Sequence, residues 1–338
     1  MKITRIGIDL AKNVFQVHGV DHDGKTVLQK QLTRAKVGAF FAGISPCLIG
    51  MEACAGAHYW ARELAKHGHN VRLIAAQFVR PYRKNGKNDK NDAEAICEAV
   101  GRPNMRFVPV KSLEQQAVLT VHRVRSLRVA ERTALVNQLR GLLGEYGIVM
   151  ARSIARLRRE LPAILEDADN NLPDLARIVF AELRLRLLAL DRQITDYDRR
   201  IEQLAARSEP AQRLMKLDGI GPLTATAIVA SIQDGKCFKN GRQFTAWLGL
   251  TPRQHSSGGK ARLGGISKRG DVYLRTLLIH GSRSVLLRTA SRTDAKSRWV
   301  EALKARSNQN VAAVALAAKH ARIIWAMLAR NQAYRQAA

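Results

Sequence analysis

Asp89 and Asp92 lie three residues apart in the segment Gly86-Lys87-Asn88-Asp89-Lys90-Asn91-Asp92-Ala93-Glu94-Ala95, at the start of a predicted helix. That spacing puts both carboxylates on one helix face, where they can share a divalent cation. The same residues are good helix starters, because Asn88-Asp89 and Asn91-Asp92 can cap a first turn. Two further acids weigh against capping alone. Asp9 sits in Ile6-Gly7-Ile8-Asp9-Leu10-Ala11-Lys12, a buried-looking strand in which a lone aspartate is costly unless it is paired or binds a cation. Glu52 closes a second apolar run, Cys47-Leu48-Ile49-Gly50-Met51. Four carboxylates in one pocket would hold two Mg²⁺ ions, or Mn²⁺ in their place, about 3.5–4 Å apart. Such a pair activates a nucleophile and stabilises the leaving oxygen in phosphodiester transfer. Lys84, Lys87 and Lys90 fit a phosphate-lined approach to that pocket, although a lysine run is often only a solvated face.

A second group of residues lies far along the chain, from Gly249 to Gly270. Its glycines, hydroxyls and cations show no apolar periodicity, which predicts an exposed flexible loop suited to surrounding a phosphate. Arg253, Lys260, Arg262, Lys268 and Arg269 would grip phosphates there, and Ser256 and Ser257 lie among them. A serine in such a loop is more often a hydrogen-bond donor than a nucleophile, because attack requires activation by a base, a metal or a cationic cluster. Gly219-Ile220-Gly221 forms a third candidate, a turn between two predicted helices that resembles a helix-hairpin-helix element. In that element Gly219 and Gly221 would let backbone N–H groups approach a phosphate. A Gly-x-Gly turn can equally be plain helix packing.

The elements that must position these groups divide the chain by character. From Ile3 to Leu32, short runs alternate apolar and polar residues, with the turn Asp21-His22-Asp23-Gly24-Lys25 between the last two, and three antiparallel strands are predicted. With helices near 36–43 and 59–67 and strands at 47–51 and 71–75, the order βββ-α-β-α-β describes a mixed sheet with helices against it, a pattern resembling ribonuclease H. In such a sheet the strand ends carrying Asp9 and Glu52 converge with the helix carrying Asp89 and Asp92. After Pro109 a long helix is predicted from Ser112 to Tyr146. A second helix has Leu183, Leu187, Leu190, Ile194, Tyr197, Ile201 and Leu204 at heptad spacing, which predicts either a helical hairpin or a dimerising coiled coil. Between them, the segment Arg152 to Asp174, with prolines at 162 and 173, is expected to turn the chain.

Composition narrows the partners. The 338 residues are enough for two or three domains, and 56 Lys and Arg against 28 Asp and Glu leave a charge of +28 spread over the whole length. A surface of that kind attracts polyphosphate and releases counterions on binding, so nucleic acid is the leading partner, ahead of a packing protein or an anionic lipid surface. No stretch of about 20 apolar residues is expected to span a bilayer. Met1-Lys2-Ile3-Thr4-Arg5 leads into a strand pattern instead of a signal sequence, which predicts a cytoplasmic protein. Cys47, Cys54, Cys97 and Cys237 form no CxxC pair, so reduced, mostly buried thiols are expected.

Taken in order, these pieces resemble the IS110 family of transposases, and Lys87-Asn88-Asp89-Lys90-Asn91-Asp92-Ala93 is similar to the wording of its IS1111 branch. The resemblance covers nearly the full length. It implies a RuvC-like catalytic domain (1–110) with a DEDD tetrad, a long-helix and coiled-coil region (111–208) and a mainly helical C-terminal transposase domain (209–338). It implies that the tetrad is Asp9, Glu52, Asp89 and Asp92, and that a serine of the C-terminal loop is the nucleophile in a composite site with it. Ser257, before Gly258, holds the matching position, with Ser256 next to it. The partners implied are double-stranded DNA, a structured guide RNA from the element's own ends in some members, and further copies of the chain as a dimer or tetramer. Two other readings compete: a RuvC-like junction-resolving nuclease that hydrolyses with water, and a non-catalytic nucleic-acid-binding protein.

Overall fold

A computed structural model describes residues 2–84 and 88–334. The chain forms two compact units, Met1–Ser112 and Leu113–Ala338.

The first unit opens with β1 (Arg5–Leu10), β2 (Val14–Val20) and β3 (Thr26–Thr33), paired antiparallel in sequence. The predicted turn between β2 and β3 closes on Asp21, whose Oδ1 accepts from the backbone N–H of Asp23 and of Lys25 at 3.1 and 2.9 Å. Then follow α1 (Val37–Ala42), β4 (Leu48–Glu52), α2 (Ala57–Lys66), β5 (Asn70–Ile74), α3 (Ala76–Val79), α4 (Asp89–Val100) and β6 (Phe107–Val108). The sheet order is β3-β2-β1-β4-β5-β6, with β1, β4 and β5 parallel and the short β6 antiparallel at the edge. The expected βββ-α-β-α-β order is therefore present.

Alternation along the strands divides the sheet into two faces. Ile6, Ile8, Phe15, Val17, Ile49 and Met51 bury one face against Phe41 of α1 and Trp60 and Leu64 of α2. The other face receives α4, and glycine is what admits it. Gly7 of β1 and Gly50 of β4 are register partners. A Cβ on Gly7 would lie 2.2 Å from the Ala93 carbonyl oxygen and 2.3 Å from the Cys97 nitrogen, and one on Gly50 would lie 2.7 Å from the Val100 Cβ. The helix backbone thus rests directly on the sheet.

The second unit begins with α5 (Leu113–Gly144), α6 (Ile154–Glu166) and α7 (Asp174–Ala206). On the α7 seam, Leu187, Leu190, Ile194 and Ile201 are buried, and α5 packs along α7 within the chain. Leu135, Leu139 and Leu143 of α5 share a core with Leu157, Leu161, Leu187 and Leu190. Asp191 of α7 accepts from Arg132 of α5 at 3.3 Å and also pairs with Arg158 of α6. The segment between α5 and α7 turns the chain as expected, with Arg125 opposite Asp198 and Arg132 opposite Asp191, and Pro162 lies inside α6, where Leu157 and Leu161 are buried. Pro173 marks a boundary, at the N-terminus of α7.

The remainder comprises α8 (Glu209–Leu214), α9 (Pro222–Ile232), α10 (Gly241–Trp247), a ribbon of β7 (Pro252–Gln254) and β8 (Leu263–Ile266), α11 (Val272–Leu286), α12 (Ala295–Arg306) and α13 (Gln309–Ala329). Its core gathers Leu214, Ile220, Ile228, Phe244, Leu248, Leu274, Leu278, Ile324 and Met327. One expectation is corrected at α13, which is long and apolar enough by length and composition to cross a membrane. Ala313, Leu316, Ala317, Ala321 and Ile324 bury one face of it within the unit, as in the core helix of a globular domain. The cysteines are all free thiols, but only Cys47 and Cys97 are buried, while Cys54 and Cys237 are exposed.

Candidate active site

The four predicted carboxylates come from three elements. Asp9 is the penultimate residue of β1 and Glu52 the last of β4. Because these strands are parallel neighbours with Ile8 opposite Met51, the two acids occupy adjacent strand ends. Asp89 and Asp92 stand in the first turn of α4, which Gly7 and Gly50 seat on those same strands. Capping does not account for the pair: Asn88 caps α4, its Oδ1 accepting from the Asn91 N–H at 2.8 Å.

The electrostatics register this convergence. Burial, followed by the negative charges of Asp92, Asp89 and Glu52, pushes the Asp9 carboxyl up to about 6. Glu52 is likewise raised, by burial and by Asp92, with Arg80 and Arg83 pulling the other way. Like charges that disfavour ionisation in one another invite a cation, and four carboxylate donors suit a hard divalent ion. No three of these carboxylates have oxygens all within 4.8 Å; among the described residues that closeness occurs at Asp21, His22 and Asp23, in the first hairpin turn. A site for two ions with water ligands is wider than such a trio.

Residues around the tetrad differ from those expected. Arg83 Nη1 lies 3.6 Å from Asp92 Oδ1, and the charges of Arg83 and Arg80 both act on Glu52. The segment Arg80-Pro81-Tyr82-Arg83 directly before the lysine run was the available signal. Lys84 is held by Glu94 at 2.6 Å, Lys90 is exposed at the start of α4, and Lys87 lies outside the described residues.

In the second unit, the expected irregular loop is instead a β-hairpin. Ser257 and Lys260 face each other across Gly258 and Gly259, whose φ angles of 54° and 73° form a tight two-residue turn. The Lys260 N–H donates to the Ser257 carbonyl at 3.0 Å and the His255 N–H to the Arg262 carbonyl at 2.9 Å. The Gly-Gly pair was the legible signal for this turn, obscured because the flanking strands are polar. Ser256 Oγ accepts from Gln254 Nε2 at 2.8 Å and from the Arg262 N–H at 3.3 Å. Ser257 Oγ makes no hydrogen bond among the described residues, and the whole tip is exposed. Arg253, Lys260, Arg262, Lys268 and Arg269 are all exposed around it.

The roots of the hairpin are fixed. A Cβ on Gly249 (φ 72°) would strike the Arg269 carbonyl oxygen at 2.0 Å, and one on Gly270 (φ 83°) the Trp247 carbonyl oxygen at 1.7 Å. The buried Arg275 of α11 also reaches both roots. Gly219 has a packing duty too: with φ 80° it meets Gly281 of α11, where a Cβ would lie 2.5 Å from the Gly281 carbonyl oxygen. Gly221 is exposed at the start of α9.

Two family profiles cover these regions, and both describe transposases. Residues 6–148 match a profile for DEDD transposases of the IS110 type, and residues 211–298 match "Transposase IS116/IS110/IS902 family". The chain is 54% identical to a probable family 20 transposase of Pseudomonas aeruginosa over 99% of both chains. It is 46% identical to the transposase for insertion sequence element IS1111A of Coxiella burnetii, over 98% of this chain and 91% of that one. With the transposase for insertion sequence element IS1328 of Yersinia enterocolitica it shares 42% over 98% of each. The protein belongs to the IS116/IS110/IS902 family of transposases and is therefore an enzyme that cuts and rejoins DNA. The non-catalytic reading of its basic surface is thereby set aside.

Proposed function

We propose that this transposase recombines DNA through Asp9, Glu52, Asp89 and Asp92 as the ligands of two Mg²⁺ ions, with Ser257 as nucleophile. The observation that carries the reading is the seating of α4 on Gly7 and Gly50, which brings its first turn to the adjacent ends of β1 and β4. The sheet order supports naming the first unit a RuvC-like, ribonuclease-H-like domain, followed by the helical region 111–208 and the transposase domain 209–338. Bound Mg²⁺ supplies positive charge at the scissile phosphate and lowers the cost of developing negative charge on its oxygens.

The remaining steps belong to the chain itself. Ser257 Oγ loses its proton to a base and forms an ester with the phosphorus, while the departing strand end takes up a proton as a hydroxyl. The phosphoester bond is conserved in the protein–DNA ester, so rejoining requires no external energy source. Ser257 is favoured over Ser256 because the Ser256 hydroxyl already serves the hairpin's own hydrogen bonding. Arg253, Lys260, Arg262, Lys268 and Arg269 hold the phosphates beside it, and Lys84, Lys87, Lys90 and Gly221 extend the nucleic-acid surface. Gly219 acts through the turn it allows. The charge of +28 suits binding of nucleic acid, and kinship with the family, not any residue of the chain, is the ground for adding a structured RNA from the element's ends as guide to a homo-oligomer in the bacterial cytoplasm.

The test is incubation of the full-length protein with duplex DNA from the element's ends, end-derived RNA and Mg²⁺, with covalent adducts resolved under denaturing conditions. Ser257→Ala is expected to abolish the adduct while binding persists, and Asp92→Asn to abolish cleavage. An adduct retained in Ser257→Ala would rule out that nucleophile, and full activity in chelator would rule out the metal. Omitting the RNA should lower recombination; equal yield without it would remove the guide from the reading.

A further inference from the structure

A cavity of about 560 Å³ lies in the second unit, between the start of α12, one face of α13 and the segment that follows α13. That volume is within the range of about 300–1,000 Å³ usual for small-molecule sites. Leu316, Ile323 and Met327 give it apolar walls, Tyr334 adds an aromatic ring, and Lys296, Lys319 and His320 supply polar groups, with one carboxylate, Asp294, at the start of α12.

His320 sets this cavity apart. The residue is 1% exposed, and neither Nδ1 nor Nε2 has a hydrogen-bond partner among the described residues. Among the other buried imidazoles, His18 lacks a partner at Nδ1 alone and meets the Thr26 hydroxyl through Nε2 at 3.5 Å, while two more are satisfied at both nitrogens. His122 meets the Tyr273 and Thr226 hydroxyls, each at 3.0 Å, and His69 meets the Phe41 carbonyl oxygen and the Cys47 N–H at 3.0 and 3.3 Å. A buried polar ring left unpaired is costly, so a protein that keeps one at a cavity wall has a use for it. Burial also holds His320 well below the usual histidine range, at about 4, so at physiological pH one nitrogen donates and the other accepts.

The cations complete the pattern. Lys296 is paired with Asp218, and Lys319 Nζ lies 4.5 Å above the Trp299 ring. A bare anion would have no use for the apolar walls, and a lipid chain none for the imidazole. A planar base with a hydrogen-bonding edge, linked to a phosphate, uses all three kinds of group.

We propose that this cavity receives a single unpaired nucleotide of the nucleic acid that the transposase handles. Its base lies against Leu316, Ile323 and Met327, its edge is hydrogen-bonded to His320 once that ring, whose nitrogens are now covered, turns toward the cavity, and its phosphate lies toward Lys319. The proposal rests on the family's action on DNA and not on the tetrad or on Ser257.

The probe is a duplex with one extrahelical 2-aminopurine, prepared as DNA and as RNA, beside a fully paired control of each. With the full-length protein, the emission of the extrahelical base is expected to change in at least one of the two, and the responding arm identifies the source of the nucleotide. The bulged probe should bind about tenfold tighter than its paired control. Ala326→Phe, which fills the cavity from α13, should abolish that preference, and His320→Phe should reduce it about tenfold, with His320→Gln restoring most of it. Far-UV circular dichroism and the thermal midpoint establish that each variant is folded. If Ala326→Phe does not fold, the His320→Phe and His320→Gln pair decides. Equal binding of bulged and paired probes by the wild type would overturn the proposal. So would a bulge preference unchanged in the folded variants. Ser257→Ala should keep the preference, which separates failure of the pocket from failure of the covalent chemistry.

Discussion

Arg275 Nη1 donates to the carbonyl oxygen of Leu248 at 2.9 Å, joining α11 to the end of α10, 27 residues earlier in the chain. The same nitrogen reaches the Arg269 carbonyl oxygen at 3.1 Å, so one buried guanidinium ties together the two roots of the serine hairpin. Arg275→Met keeps much of the packing and removes both bonds, and should cost about 2–3 kcal/mol because two carbonyls lose a charged donor. Amide exchange across 249–270 should accelerate and the covalent adduct yield should drop, with Arg275→Lys intermediate. Unchanged exchange in Arg275→Met would show that the glycine contacts alone hold the stem.

Gly7→Ala adds one methyl group where the α4 backbone already lies. The overpacking should destabilise the first unit by about 1–3 kcal/mol, and α4 must shift outward to relieve it. DNA cleavage should fall far more than stability, because that shift displaces Asp89 and Asp92. Urea denaturation measured beside cleavage rates checks this; a fully active Gly7→Ala enzyme would mean that the tetrad tolerates the displacement.

If the hairpin cations contact phosphates, each should contribute to counterion release. The double variant Lys260→Ala, Arg262→Ala should lower the slope of log affinity against log salt by about 2. Fluorescence anisotropy with duplex DNA at several salt concentrations measures it, and an unaltered slope would place the hairpin away from the backbone.

Stability should depend on pH through two buried histidines. His122 and His320 are each lowered to about 4, chiefly by burial, so between about 4 and the ordinary histidine value of 6.5 the unfolded chain binds more protons than the folded one. Their contribution is fully present above 6.5 and lost as pH falls toward 4, by up to about 3 kcal/mol each. Chemical denaturation at pH 7 and pH 4.5 should show the loss, and His122→Gln should diminish it. A flat profile would mean that both rings protonate without unfolding.

Much of the first unit was legible because its signals are local. The Asp21-to-Lys25 turn, the alternation in β1 and β2 and the acids at strand ends all lie in short windows. The bond between Arg275 and Leu248 was not legible, since no local pattern announces a cation that folds back on backbone carbonyls. Nor was the role of Gly7 and Gly50, because the helix they admit begins more than a full element later. The hairpin was missed for the opposite reason: its strands are exposed on both sides and carry no alternation, leaving only Gly258-Gly259 to mark it.

A ribbon pinned at Gly249 and Gly270 also has a reach. From Thr251 through β7 to Ser257 the chain can span up to about 20 Å at roughly 3.3 Å per residue. That is comparable to the width of a DNA duplex. A hydroxyl carried at the end of such an arm can meet a phosphate that the body of its own domain never touches, with the fixed stem limiting the arc it sweeps.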